Sequence, residues 1–106
     1  MPYYSPAELR EKVFEAPLRT VEIRVSAPII NRHIAALERG QPAPKIKVGG
    51  GTIIGGGLHW YVASYVLGRQ PVIEKVDPPG PDIVRYSLRQ VIFEGIDWEN
   101  MTVRRG

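Results

Sequence analysis

Three consecutive glycines, Gly55 to Gly57, precede a predicted helix and are the residues of this chain best suited to bind an anion. Free amides at the start of a helix point toward a ligand, and the helix dipole favours negative charge there. Glycine also lets a phosphate group approach the backbone closely. His59, on the same helix, is a candidate catalytic acid or base because an unperturbed imidazole titrates near ~6.5. The alternatives are a flexible glycine turn and a histidine that hydrogen-bonds a neighbouring loop.

Any acidic partner of His59 must come from a distant part of the chain, because no carboxylate lies beside it in the sequence. We take Glu22 as the candidate acid partner, with Glu74 and Asp82 as alternatives. His33, on an earlier predicted helix, is interpreted as a surface or structurally satisfied histidine. The chain has no His-x-Glu, His-Glu-x-x-His or aspartate-rich calcium pattern, so we expect no metal site.

Basic and aromatic residues are candidates to surround the glycine run. Lys45, Lys47 and Arg69 would form a basic rim if the strands pack beside it, and solvated strand faces explain them equally well. A ligand-binding face or apolar pocket is predicted from three residues of the helix, Leu58, Trp60 and Tyr61. Core packing is the alternative for Tyr61 and for Tyr65, which lies one turn further along.

Composition sets broad limits on the protein. Its 106 residues, 43% of them apolar, are enough for one domain (1–106) with one core. The absence of cysteine excludes disulfides, thiolate metal sites and thiol nucleophiles. A net charge of +3 mildly favours anionic partners. No apolar run is long enough to cross a bilayer and no signal pattern opens the chain, so we expect no membrane partner.

Local signals predict the first half of the fold. Ser5, Pro6 and Glu8 indicate the start of a short helix to about Phe14, within an N-terminal helical segment over 1–17. Alternating residues predict a strand over 18–25. Ser26 and Pro28 open a second helix that runs to about Arg39 and stops at Gly40.

The second half is predicted to surround the glycine-linked helix. Residues 45–48 and 52–54 are expected to pair as a β-hairpin, and the helix runs from about Leu58 to Leu67 and ends at Gly68. A fourth strand is predicted over 71–76, and a helix, a strand or both over 86–93. The tail, 97–106, is expected to be polar and frayed. The order predicts an α+β fold in which helices flank a small mixed sheet.

Two segments resemble the ParB/sulfiredoxin superfamily over roughly half of the chain. One is the strand, helix and strand of residues 21–48, which ends Pro-Lys-Ile-Lys-Val. The other is the stretch 52–68, where sulfiredoxins typically have Gly-Gly-Cys-His-Arg-Tyr and ParB-like toxin domains Asp-Gly-Asn-His-Arg-Tyr. The residues that match the family pattern are Gly57, His59, Tyr61, Ala63, Ser64 and Gly68. The chain is most similar to ParB-like domains at the C-terminal tips of bacterial polymorphic toxins.

The chain departs from the family at three positions of this motif. Gly56 stands where toxin-type members have an acidic residue, Leu58 where they have a polar residue or the sulfiredoxin cysteine, and Trp60 where they have arginine. A sulfiredoxin reductase is excluded because its attacking cysteine has no counterpart. Natural divergence and deliberate engineering would both produce such a variant.

The resemblance implies a toxin-type domain that acts on nucleotides or nucleic acid. Its activity would be that of a nuclease or of a nucleotide phosphohydrolase or phosphotransferase. The three departures would weaken or abolish this activity. It implies a nucleoside triphosphate with Mg²⁺ as ligand, an immunity protein as partner, and action in a bacterial cytoplasm after delivery as the end of a secreted toxin. The alternative is a non-catalytic scaffold of the same fold with an apolar or protein-binding pocket.

Overall fold

The computed structural model describes residues 3–101, which form a small α+β fold with a mixed sheet. Its elements in chain order are α1 Pro6–Lys12, β1 Arg19–Thr20, β2 Arg24–Ser26, α2 Ala27–Glu38, β3 Ile46–Gly49, β4 Thr52–Ile53, α3 Leu58–Val66, β5 Ile73–Lys75, β6 Tyr86–Ser87, β7 Ile92–Glu94 and α4 Trp98–Met101. The larger sheet has the strand order β5-β3-β4-β1-β6, and β2 pairs with β7 in a second sheet. The predicted α+β class with a mixed sheet is therefore confirmed. None of the described helices is long and apolar enough to span a membrane.

The predicted helix starts are confirmed, because they depend on local hydrogen bonds. Ser5 and Glu8 form a reciprocal capping box at α1, which ends at Lys12, two residues earlier than predicted. The Ser26 hydroxyl accepts a hydrogen bond from the Ile29 amide at the start of α2. Gly40 follows α2 with a φ of 92°, in the left-handed region that glycine adopts readily.

The predicted single strand over 18–25 is wrong. The chain pairs over β1 in the larger sheet, leaves it, and pairs again over β2 in the smaller one. The Glu22 amide donates a hydrogen bond of 3.0 Å to the Thr20 hydroxyl at the break. A side chain that binds a nearby amide in this way competes with ladder pairing, so the alternating pattern is divided between two sheets.

The predicted β-hairpin is confirmed. β3 and β4 pair antiparallel, with Gly49 opposite Thr52. Gly50 and Gly51 form the two-residue connection with φ values of 58° and 77°. Two consecutive positive φ values are typical of the tight turn that matches strand twist, which explains why glycines occur here.

The core holds α3 at the centre of the domain. Leu58 and Val62, one turn apart on α3, are fully buried, as are Ile30 and Ile34 on α2 and Ile46 on β3. Burial of side chains this large stabilises the fold by about 1.5–3 kcal/mol each. The first residue of α3 is therefore fixed by packing, and the glycine loop before it has a defined position.

The C-terminal part is more ordered than predicted. Residues 86–93 contribute two strands, β6 and β7, and α4 follows. Arg32 on α2 donates hydrogen bonds of 2.6 and 2.9 Å to the two carboxylate oxygens of Asp97 and also pairs with Glu99. The prediction of a frayed tail is wrong for 97–101, because Arg32, which is far away in the sequence, binds two carboxylates of this segment. The remainder, 102–106, lies outside the described residues.

Candidate functional site

The glycine loop borders open space at two of its three residues. A Cβ on Gly55 or Gly56 would meet no atom within 4 Å beyond its neighbours in the chain, whereas a Cβ on Gly57 would lie 3.0 Å from Cγ2 of Ile46. Gly57 is therefore closely packed against Ile46, whereas Gly55 and Gly56 leave room for a ligand. No side chain of residues 3–101 caps the start of α3 with a hydrogen bond.

Both predicted lysines lie at this loop. A cleft of about 300 Å³ is lined by Pro44, Lys45, Lys47, Ile54, Gly55, Gly56, Gly57 and Trp60. Its lining contains two lysines and no acidic residue. Lys45, just before β3, and Lys47 within it therefore bring positive charge to the glycine loop that leads into α3, and positive charge favours an anion.

Arg69 is not part of this basic rim. Its guanidinium donates a hydrogen bond of 2.8 Å to the carbonyl oxygen of Leu37. It lines a second cleft, of about 450 Å³, together with Tyr61 and Tyr65. The two clefts share no lining residue, so among the described residues the rim consists of Lys45 and Lys47.

His59 is a structural contact between α3 and the start of α2. Its Nε2 atom accepts a hydrogen bond of 3.0 Å from the backbone amide of Ser26. A nitrogen that accepts cannot carry a proton, so the imidazole is neutral with its proton on Nδ1. Burial, assisted by the nearby His33, lowers the pKa of His59 to about 4. Nε2 is thus occupied, and His59 does not line the glycine cleft.

The structure does not join Glu22 to His59. No hydrogen bond or charge interaction between them occurs within residues 3–101, and Oε1 of Glu22 is buried without a hydrogen-bond partner. Burial raises the pKa of this carboxyl group. The alternatives Glu74 and Asp82 are exposed. Glu99 is the carboxylate that interacts with His59, and no sequence pattern indicated it.

Four rings form a cluster beside the glycine cleft. Trp60 stacks on His33 with ring centroids 3.7 Å apart and planes 5° from parallel. His59 presents edge-to-face contacts to His33 at 6.4 Å and to Trp98 at 5.2 Å. We call His33, His59, Trp60 and Trp98 the His–Trp cluster. It connects α2, α3 and α4, which no local spacing could predict.

No protein-family model, curated protein or solved structure matches this chain. Among residues 3–101, no three His, Cys, Asp or Glu side chains lie together as a metal site would require. Interpretation of the site therefore depends on its own geometry.

The predicted pocket of Leu58, Trp60 and Tyr61 is not formed by these three residues together. Leu58 is buried in the core, Trp60 lines the glycine cleft, and Tyr61 lines the second cleft. Successive residues of a helix point about 100° apart, so neighbours in the sequence face different surroundings. The aromatic pair Tyr61 and Tyr65, with ring centroids 6.1 Å apart, shares one face as predicted.

Proposed function

We propose that this domain binds phosphate groups of nucleotides or nucleic acid in the cleft of Lys45, Lys47 and the glycine loop. The observation that carries the proposal is the convergence of two lysines, two glycines beside open space and an uncapped helix start, with no acidic side chain in the lining. Each of these features favours an anion. The resemblance to ParB-like domains supports the same ligand class.

We also propose that the domain binds its ligand without using His59 to cleave it. General acid–base catalysis needs a group within hydrogen-bond reach of the reacting atom, with a pKa near the working pH. The Nε2 atom of His59 is engaged by Ser26, and its pKa of about 4 leaves it neutral and weakly basic. The toxin context and an immunity partner depend on the resemblance alone.

Trp60 has a defined part in this proposal. One face of its ring is covered by His33, and its side chain also lines the cleft. A ring held in this way offers apolar surface beside the phosphate site, where a base or sugar can pack. Nucleotides should therefore bind more tightly than inorganic phosphate.

The test is an NMR titration of the labelled protein with ATP, a short single-stranded DNA and inorganic phosphate, each with and without Mg²⁺. We expect the amide signals of Gly55 to Leu58 to shift and the Lys45→Gln/Lys47→Gln variant to bind about tenfold or more weakly. Lys75→Gln, on the neighbouring strand β5, is the matched control and should bind normally.

The salt dependence of binding adds a second criterion. Affinity for the DNA should fall as salt rises, and less steeply in the double variant, because two cations no longer meet phosphates. If millimolar nucleotide or DNA leaves the glycine-loop amides unchanged, the proposal is wrong and a scaffold without a phosphate site is favoured. If the wild-type protein hydrolyses nucleotide or DNA and a folded His59→Gln variant does not, the proposal that His59 takes no part in cleavage is wrong.

A further inference from the structure

The strand β5 is an open edge of the larger sheet. Within residues 3–101 it pairs on one side only, in parallel with β3, with Ile46 opposite Ile73 and Val48 opposite Lys75. The Val72 carbonyl accepts a hydrogen bond from the Ile46 amide, and the Val76 amide donates one to the Val48 carbonyl. Backbone groups alternate in direction along a strand, so those of Ile73 and Lys75 point to the open side.

An apolar cleft lies beside this edge. Its volume is about 450 Å³, and its lining includes Leu18, Tyr61, Tyr65, Pro71 and Ile73. Ile73 belongs to both features, since its backbone lies in the edge strand and its side chain lines the cleft. Ile73 and Val72, the residue just before β5, are 44% and 53% exposed, so apolar surface is open to solvent at this edge. A strand added to β5 would thus run past a cavity that accepts an apolar side chain.

The charge around this cleft is positive. Lys75 lies two residues after Ile73 and therefore shares its face of the strand, whereas Glu74 points to the opposite face. Arg69 lines the cleft and binds a carbonyl oxygen of the backbone. Within residues 3–101 neither Arg69 nor Lys75 forms a salt bridge with an acidic side chain. This arrangement complements a partner that carries acidic residues.

We infer that β5 and the adjoining cleft, together the β5 groove, bind an extended acidic peptide segment of a partner protein. The segment would add a strand beside β5, exchange hydrogen bonds with the backbone of Ile73 and Lys75, and place one large apolar side chain in the cleft lined by Tyr61 and Tyr65. Backbone pairing supplies affinity in such complexes, and the side-chain pocket supplies specificity. The inference is independent of the phosphate site, because the two clefts share no lining residue.

The experiment is selection of a random dodecapeptide display library on the immobilised protein, with parallel selection on two variants. Ile73→Glu places a charge in the β5 groove. Ile92→Glu, on β7 of the other sheet, is the matched control because Ile92 is 46% exposed in the wild type. We expect peptides with one large apolar residue flanked by acidic residues. Their affinity should fall about tenfold or more with Ile73→Glu and change little with Ile92→Glu.

Three further readouts test the mode of binding. Selected peptides should slow hydrogen exchange of the Ile73 and Lys75 amides, and N-methylation of the peptide should abolish binding only at alternate positions. Tyr65→Ala should weaken binding without loss of the folded circular dichroism spectrum. The inference is overturned if the wild-type protein enriches no peptide more strongly than the Ile73→Glu variant does. It is also overturned if N-methylation of the peptide leaves binding unchanged. A dimer in sedimentation that Ile73→Glu dissociates would also overturn it, since the edge would then bind a second copy.

Discussion

Neutral His59 should make the stability of the fold decrease as the pH falls. Its pKa is lowered from 6.5 to about 4 in the folded state, chiefly by burial, and Nε2 must be unprotonated to accept the Ser26 hydrogen bond. The unfolded chain binds the proton first, so stability increases with pH wherever the two states differ in bound protons. The stabilisation that depends on neutral His59 is complete above pH 6.5 and is lost as the pH falls from 6.5 toward 4.

The expected size follows from linkage. Between about pH 7.5 and about pH 5.5, protonation of His59 in the unfolded chain alone should reduce the free energy of unfolding by about 1.3 kcal/mol. The figure depends little on the folded-state pKa, because the folded imidazole remains almost uncharged in this range. Solvent screening of the partly exposed ring would reduce the figure only slightly for the same reason.

The assay is urea unfolding at several pH values in this range, for wild type and His59→Gln. Glutamine has no titratable group, so the variant should lose about 1.3 kcal/mol of the pH dependence. Burial also lowers the pKa of His33, so the stability of His59→Gln should still decrease somewhat as the pH falls. A further His33→Gln substitution should remove the part that comes from His33. Carboxylates contribute equally to both proteins. Identical pH dependence in wild type and His59→Gln would refute the neutral, buried imidazole.

Three further predictions concern the glycine loop, α1 and α4. Gly57→Ala should reduce the free energy of unfolding by about 1–3 kcal/mol in urea titrations, because its Cβ meets Ile46; Gly56→Ala, beside open space, should change it by less than about 1 kcal/mol. Equal effects would contradict the difference in packing. Ser5→Ala removes the capping box of α1 and should reduce the free energy of unfolding by about 1 kcal/mol, which is measured as a lower melting temperature. Arg32→Gln should speed hydrogen exchange in α4 while leaving α1 unchanged, since Arg32 binds Asp97, just before α4, and Glu99 within it.

Local signals determined several elements from the sequence alone. The capping box at Ser5, the Ser26 cap, Gly40 and the glycine hairpin each act through atoms a few residues apart, so their types and order are sufficient. The same holds for α3, whose start after Gly57 and end before Gly68 are both correct. These elements suffice to predict the α+β class and the glycine loop before a helix.

The tertiary structure decided which residues share a site. Lys45 and Lys47 lie beside the glycine loop because β3 packs against the start of α3, whereas Arg69 turns to the carbonyl oxygen of Leu37. The partners of His59 are Ser26, Trp98 and Glu99, which are all distant from it in the sequence. Residue types and periodicity describe each element by itself. Contacts between elements depend on how their buried faces pack together, and this packing separated the predicted anion cleft from the predicted catalytic histidine.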